Sequence, residues 1–153
     1  MTLTPRYSER LGVPLRWWVQ GTMLVATLWL AVVVALPALA AWLVTAVALG
    51  LLATWFLSYG SVRIVVGDGQ LRAGRAHIEA VHLGSARALD PEETRRTAGP
   101  DADARAYLLL RPYLKRAVRV EITDPADPAP YWLLSTRHPD ELARALTALT
   151  QAV

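Results

Sequence analysis

A chain of 153 residues that is 54% hydrophobic and only 19% charged is too apolar for an ordinary soluble domain. Its formal charge of +3 is mild, and suits attraction to an anionic leaflet better than nucleic-acid binding. With no cysteine, disulfides and thiolate metal sites are excluded.

The apolar residues are concentrated near the start. The stretch "RYSERLGVPLRWWVQ", residues 6–20, runs from basic and aromatic sequence straight into apolar sequence. No formally charged side chain occurs between Arg16 and Arg63. As one helix that segment would span ~70 Å at ~1.5 Å per residue. A bilayer's hydrocarbon core is only ~30 Å thick, so two helices fit and one does not. Pro37 marks the break, because it lacks an amide hydrogen and disfavours helix at Leu36. The expectation is a membrane α-hairpin of two transmembrane helices, about 17–36 and 40–59, within a segment 17–60.

Arginine placement sets the expected topology. Arg6, Arg10 and Arg16 precede the hairpin against Glu9, and Arg63, Arg72, Arg75 and Arg87 follow it against Asp68 and Glu79. The turn at Pro37 carries no charge. Both termini are therefore expected in the cytoplasm, with the hairpin in the inner (plasma) membrane and residues 1–16 as a cytoplasmic lead-in. Arg16, Trp17 and Trp18, with Trp55 and Tyr59, are the expected interface anchors. The alternative is a signal peptide cleaved at Ala38-Leu39-Ala40. Its apolar stretch would be longer than a usual h-region, and cleavage would still leave the remainder inside.

Small residues recur every four positions in both helices: Thr27, Ala31 and Ala35 in the first, Ala46, Gly50 and Thr54 in the second. Such spacing lets helices pack closely in lipid. The expectation is packing of the two helices on each other; the alternative is a docking face for another membrane protein. The absence of ionisable residues in the spans argues against an ion or proton pathway.

From residue 61 the pattern changes to short strands with turn punctuation. "VRIVV" leads into "GDGQLRAG", a hairpin signal. Short strands are expected around 78–83 and 86–89. "DPEETRRTAGPDADA" is polar and rich in turn formers, and is expected to be a surface loop. "RAYLLLR", "RAVRVEIT" and "PYWLLST" follow as strands, with full alternation over Val118–Ile122. The last element is an amphipathic helix with Pro139 first, Asp140 and Glu141 in the first turn, and a stripe of Leu142, Ala145, Leu146, Leu149 and Val153. Residues 61–153 thus read as an α+β cytoplasmic domain. About six antiparallel strands, closed by a C-terminal helix, suggest a split barrel of pleckstrin-homology-like order.

No catalytic constellation, cofactor loop or metal-ligand spacing is present in the sequence. His77, His82 and His138 are too few for a zinc site, and His138 is placed to cap the last helix. Asp124 and Asp127 in "DPADPAP" could share a cation, but aspartates in proline-braced turns ordinarily cap backbone. Glu92, Glu93, Asp101 and Asp103 read as a solvated loop. Two basic features remain as candidate anion or lipid contacts. Arg111, Lys115, Arg116 and Arg119 surround a turn with Tyr113 and Leu114 at its tip, a shape that can press into an anionic leaflet. Arg137, in "STRHPDEL", lies beside a helix amino terminus.

"YSERLGVP", the aromatic lead into a two-helix span, and above all "DPADPAPYWLLSTRHPDEL" resemble the family catalogued as domain of unknown function 3093, small actinobacterial membrane proteins. The resemblance covers essentially the whole chain and implies architecture and location, not chemistry. Phosphoinositide-binding barrels usually carry basic residues in the first hairpin, whereas "GDG" puts Asp68 there. The functional expectation is a non-enzymatic, membrane-anchored interaction domain. Its partners would be the bilayer and another membrane or cytoplasmic protein, as scaffold or accessory subunit. The alternative is a lipid or anionic-ligand sensor using the basic turn.

Overall fold

The computed structural model describes residues 7–153; Arg6, counted above among the topology arginines, lies outside them. The described chain separates into two compact units. One holds residues 12–62, and the other holds residues 7–11 with 63–153.

The first unit is a pair of long helices, α1 (Leu15–Ala35) and α2 (Ala38–Tyr59). Leu36 is extended, and Pro37 takes the N-cap of α2, so the break falls where proline dictates. Both helices are long and apolar enough to cross a membrane. Very little of either is covered: Val25 in α1 and Ala41 and Phe56 in α2 are the buried positions. The helices meet through large side chains. Trp18 stands edge-on to Phe56 at 5.0 Å between ring centroids, and Trp29 lies 5.8 Å from Trp42. Gly21 admits this approach, since a Cβ there would sit 3.0 Å from the Leu52 methyls.

The second unit holds two four-stranded sheets and two helices. β1 (Tyr7–Arg10), β2 (Arg63–Gly67), β3 (Gln70–Ala73) and β4 (Ala76–Glu79) form an antiparallel sheet in that order. Residues 7–10 of the segment expected as a lead-in thus form a sheet strand, and the apolar hairpin lies in the connection between β1 and β2. Asp68-Gly69 joins β2 to β3 with positive φ at both residues, the requirement of a type I′ turn. Gly74, also at positive φ, opens the two-residue turn from β3 to β4.

A 3₁₀ turn (Ala80–His82) leads to β5 (Leu83–Leu89), α3 (Pro91–Ala98), β6 (Tyr107–Leu109), β7 (Ala117–Ile122), β8 (Tyr131–Ser135) and α4 (Pro139–Thr150). The second sheet has the order β5-β7-β8-β6. β6 pairs with β8 in parallel, so the sheet is mixed where an antiparallel one was expected. All of β8 is buried, and it has neighbours on both edges. The described strands close no barrel: no strand pairing joins the two sheets.

The stretch expected as a loop contains α3. Asp90 accepts from the Glu93 amide at 2.8 Å while the Glu93 side chain accepts from the Asp90 amide, a complete capping box, with Pro91 in the first turn. The α4 stripe is buried at Leu142, Leu146 and Leu149, but Val153 lies past the helix end and is exposed. That stripe packs on β5, β7, β2 and β1, so both sheets share one core with α4.

Candidate functional site

Among the described residues of the second unit, the most buried formally charged side chain is Glu9, on the inward face of β1 and 8% exposed. It meets the chain just before α4. Its Oε2 accepts from the Tyr7 hydroxyl at 2.6 Å and from the Thr136 hydroxyl. Its Oε1 accepts from the Arg137 amide at 3.0 Å and lies 3.7 Å from the Arg137 guanidinium. Thr136 Oγ1 in turn accepts from the His138 amide at 3.0 Å, and the Arg137 guanidinium donates to the Arg10 carbonyl. The anion beside the α4 amino terminus is therefore the protein's own. His138 holds the N-cap position, but its side chain makes no capping bond; the Thr136 hydroxyl, two residues earlier, accepts from the His138 amide.

This network was not foreseen from sequence, where Glu9 counts only as a charge in the lead-in. Burial, and then the hydrogen bond to Glu9, push the Tyr7 phenol well above its ordinary range. A phenol whose folded pKa is raised stabilises the fold fully below its unfolded value of 10.0, and loses that contribution as pH rises further. Tyr7→Phe is expected to cost about 1 kcal/mol at neutral pH and to flatten the alkaline fall in stability above pH ~10. Unfolding curves at several alkaline pH values check this; coincident slopes for the two proteins would refute it.

Two further tyrosines tie segments distant in the sequence. Tyr107 donates to the Ala73 carbonyl at 3.1 Å, and Tyr113 to the Leu11 carbonyl at 2.8 Å. The latter alters the reading of the basic turn. Tyr113 and Leu114 are half-buried, so the expected apolar tip does not project freely. Arg119 lies over the Tyr131 ring at 4.3 Å, Arg111 donates to the Leu110 carbonyl and Arg137 pairs with Glu9. Lys115 and Arg116 are exposed. Three of the five basic candidates thus serve separate contacts within the fold, and Lys115 and Arg116 face outward.

Asp124 and Asp127 accept from the amides of Ala126 and Ala129, both at 2.8 Å, which is backbone capping. The acidic residues of the supposed loop are surface ion-pair partners: Glu92 with Arg95, Glu93 with Arg87, Asp101 with Arg96, Asp103 with Arg105.

In the apolar unit, Trp17 and Trp18 pack around Phe56, while Arg16 and Trp55 are exposed and Tyr59 is half-buried. Thr27, Ala31 and Ala35, and likewise Ala46, Gly50 and Thr54, are all exposed. The expectation that these stripes pack the two helices together is therefore overturned, because bulky rings and Gly21 make that contact instead. The hydroxyls of Thr27 and Thr54 donate to carbonyls one turn back, at 3.0 and 2.8 Å.

One surface was missed from sequence. On the outward face of the first sheet, Arg63 is the register partner of Arg10, and Arg72 of His77. Gly74, beside Arg75, donates its amide to the Arg63 carbonyl at 2.9 Å. An open concavity of about 330 Å³ is lined by Gln70, Arg72, Gly74, Arg75, Ala76 and His77. A second, of about 350 Å³ and lined in part by Asp68, Glu79 and Val153, lies toward the acidic end of the same sheet.

The model of the family described as "Protein of unknown function (DUF3093)" matches residues 6–146. The chain belongs to that family. The match runs through the apolar hairpin and both sheets of this DUF3093 chain, and stops within α4. No curated protein and no solved structure matches it.

Proposed function

We propose that this DUF3093 protein is a non-enzymatic scaffold or accessory subunit, anchored in the inner membrane by its apolar hairpin and exposing an interaction domain to the cytoplasm. The observation that carries the reading is the near-complete exposure of two helices made almost entirely of apolar residues. In water such a surface would be a severe aggregation liability; in lipid it is a normal helix exterior. The threonine hydroxyls bonded to their own helix support the same solvent. The outward small-residue stripes offer a close-packing face to a partner helix. Arginines on both flanks of the hairpin and none at its turn support a cytoplasmic second unit.

Two sheets sharing a core with a C-terminal helix support a pleckstrin-homology-like relationship, from which the parallel β6 departs. Lys115 is the sole lysine among many arginines, and alanine is abundant, a usage that suits an actinobacterial genome of high GC content.

Cross-linking in the native membrane, followed by purification in mild detergent, is expected to give a stoichiometric partner. A clean monomer across several detergents would overturn the scaffold role. Reporters fused at the C-terminus are expected to signal only from the cytoplasm; activity of a periplasmic reporter would reverse the topology.

A further inference from the structure

The basic face of the first sheet has no sequence motif, because strand register assembles it from separate segments. Arg10 and Arg63 are directly opposed across β1 and β2. Like charges in that relation repel, so the pair favours a shared counter-ion. The next row sets Arg72 opposite His77, and Arg75 projects from the adjoining turn. Arg63, Arg72, Arg75 and His77 are all exposed.

Charge along this ladder is polarised. Asp68 and Glu79 sit at the end of the Asp68-Gly69 turn, and the arginines sit at the other end. Among the described residues, the ion pairs of the second unit engage Arg87, Arg95, Arg96, Arg105 and Arg137, and none involves Arg63, Arg72 or Arg75. The basic end is also the end through which the chain passes to and from the hairpin: Arg10 precedes Leu15 by five residues, and Arg63 follows Tyr59 by four.

We propose that this face binds the phosphate groups of anionic phospholipids in the leaflet that borders it, with the Arg72–Arg75–His77 concavity taking a single headgroup phosphate. The proposal rests on the membrane placement of the hairpin. A negatively charged leaflet supplies counter-ions to the exposed guanidinium groups of Arg63, Arg72 and Arg75. Each arginine near such a surface strengthens attachment by roughly fivefold. Attachment falls with salt, since exposed charges are screened beyond ~10 Å at moderate ionic strength.

The test uses the full chain in nanodiscs and reads amide hydrogen exchange over residues 63–79. Exchange in the β3–β4 turn is expected to be several-fold slower in discs containing phosphatidylglycerol than in phosphatidylcholine discs, and the difference should shrink at high salt. The double variant Arg72→Gln/Arg75→Gln should abolish it, and Arg63→Gln should reduce it, while Arg95→Gln/Arg96→Gln on α3 should leave it intact. Unchanged exchange in β7 and β8 certifies the fold of each variant. Equal exchange in the two lipids, or protection persisting in the double variant, overturns the proposal. So does equal protection by inorganic phosphate or polyglutamate in phosphatidylcholine discs, which would make the face a site for a soluble anion or an acidic chain. A chain that stays soluble and enters no disc overturns the membrane reading as well; a chain that enters discs but ignores their charge overturns only the lipid face.

Discussion

Glu9→Ala is expected to destabilise the second unit by about 2–4 kcal/mol. The carboxylate accepts from Tyr7, Thr136 and the Arg137 amide, and alanine leaves these donors facing an apolar core. Part of the cost is recovered, because the Arg137 side chain is 39% exposed and can turn to water. The remainder is the desolvation of groups that water cannot reach without opening β1. For a unit of roughly one hundred residues the loss lowers Tm by about 10–20 °C. Glu9→Gln keeps an acceptor for two of the donors and should cost less than half as much. Thermal unfolding of the full chain in detergent distinguishes the three proteins, and an alanine variant within half a degree of wild type would show that the network carries no stability.

The same network shows where sequence reading stops. Pro37, the Asp68-Gly69 turn and the α4 stripe were legible because each is a local signal: a missing amide hydrogen, two residues at positive φ, and a helical repeat of leucines. β1 was not, because four residues give little periodicity and its partner β2 lies beyond the whole hairpin. Without that pairing, Glu9 is one more charge in a basic flank. The arginine face is lost for the same reason, since Arg10, Arg63 and Arg72 become neighbours only through two ladders.

α3 is a different kind of miss. Asp90, Pro91 and Glu93 spell a capping box and a first-turn proline, yet the polar composition around them outweighed that signal. The small-residue stripes failed for a third reason. Spacing of four identifies a face that could pack, but shape decides which face does, and the rings of Trp18, Trp29, Trp42 and Phe56 fill the interface. The parallel pairing of β6 with β8 depends on a crossover over β8, for which no residue between Leu110 and Arg116 gives a sign.

Gly50→Arg separates the two possible solvents of the hairpin by the sign of its effect. Gly50 lies on the exposed side of α2, and a Cβ there would meet nothing within 4 Å, so sterics contribute little. If that face met water, replacing glycine within a helix by arginine would stabilise it by roughly 0.5–1 kcal/mol. If it meets lipid, an arginine near the middle of a span costs ~2.5–3.5 kcal/mol on insertion scales. Gly50 is nine residues from Tyr59, about 14 Å along the axis, so a snorkelling guanidinium does not easily reach the headgroups. The inserted-to-uninserted ratio should then fall roughly 100-fold, read by carbonate extraction of membranes carrying the full chain. Gly50→Leu, which adds bulk without charge, should remain fully inserted. A Gly50→Arg protein that is equally membrane-bound, or that melts higher than wild type, would mean that this face of α2 is not in hydrocarbon. The anchored-scaffold reading and the lipid-binding arginine face would then both fall, because each takes the bilayer as the solvent that these two bare helices require.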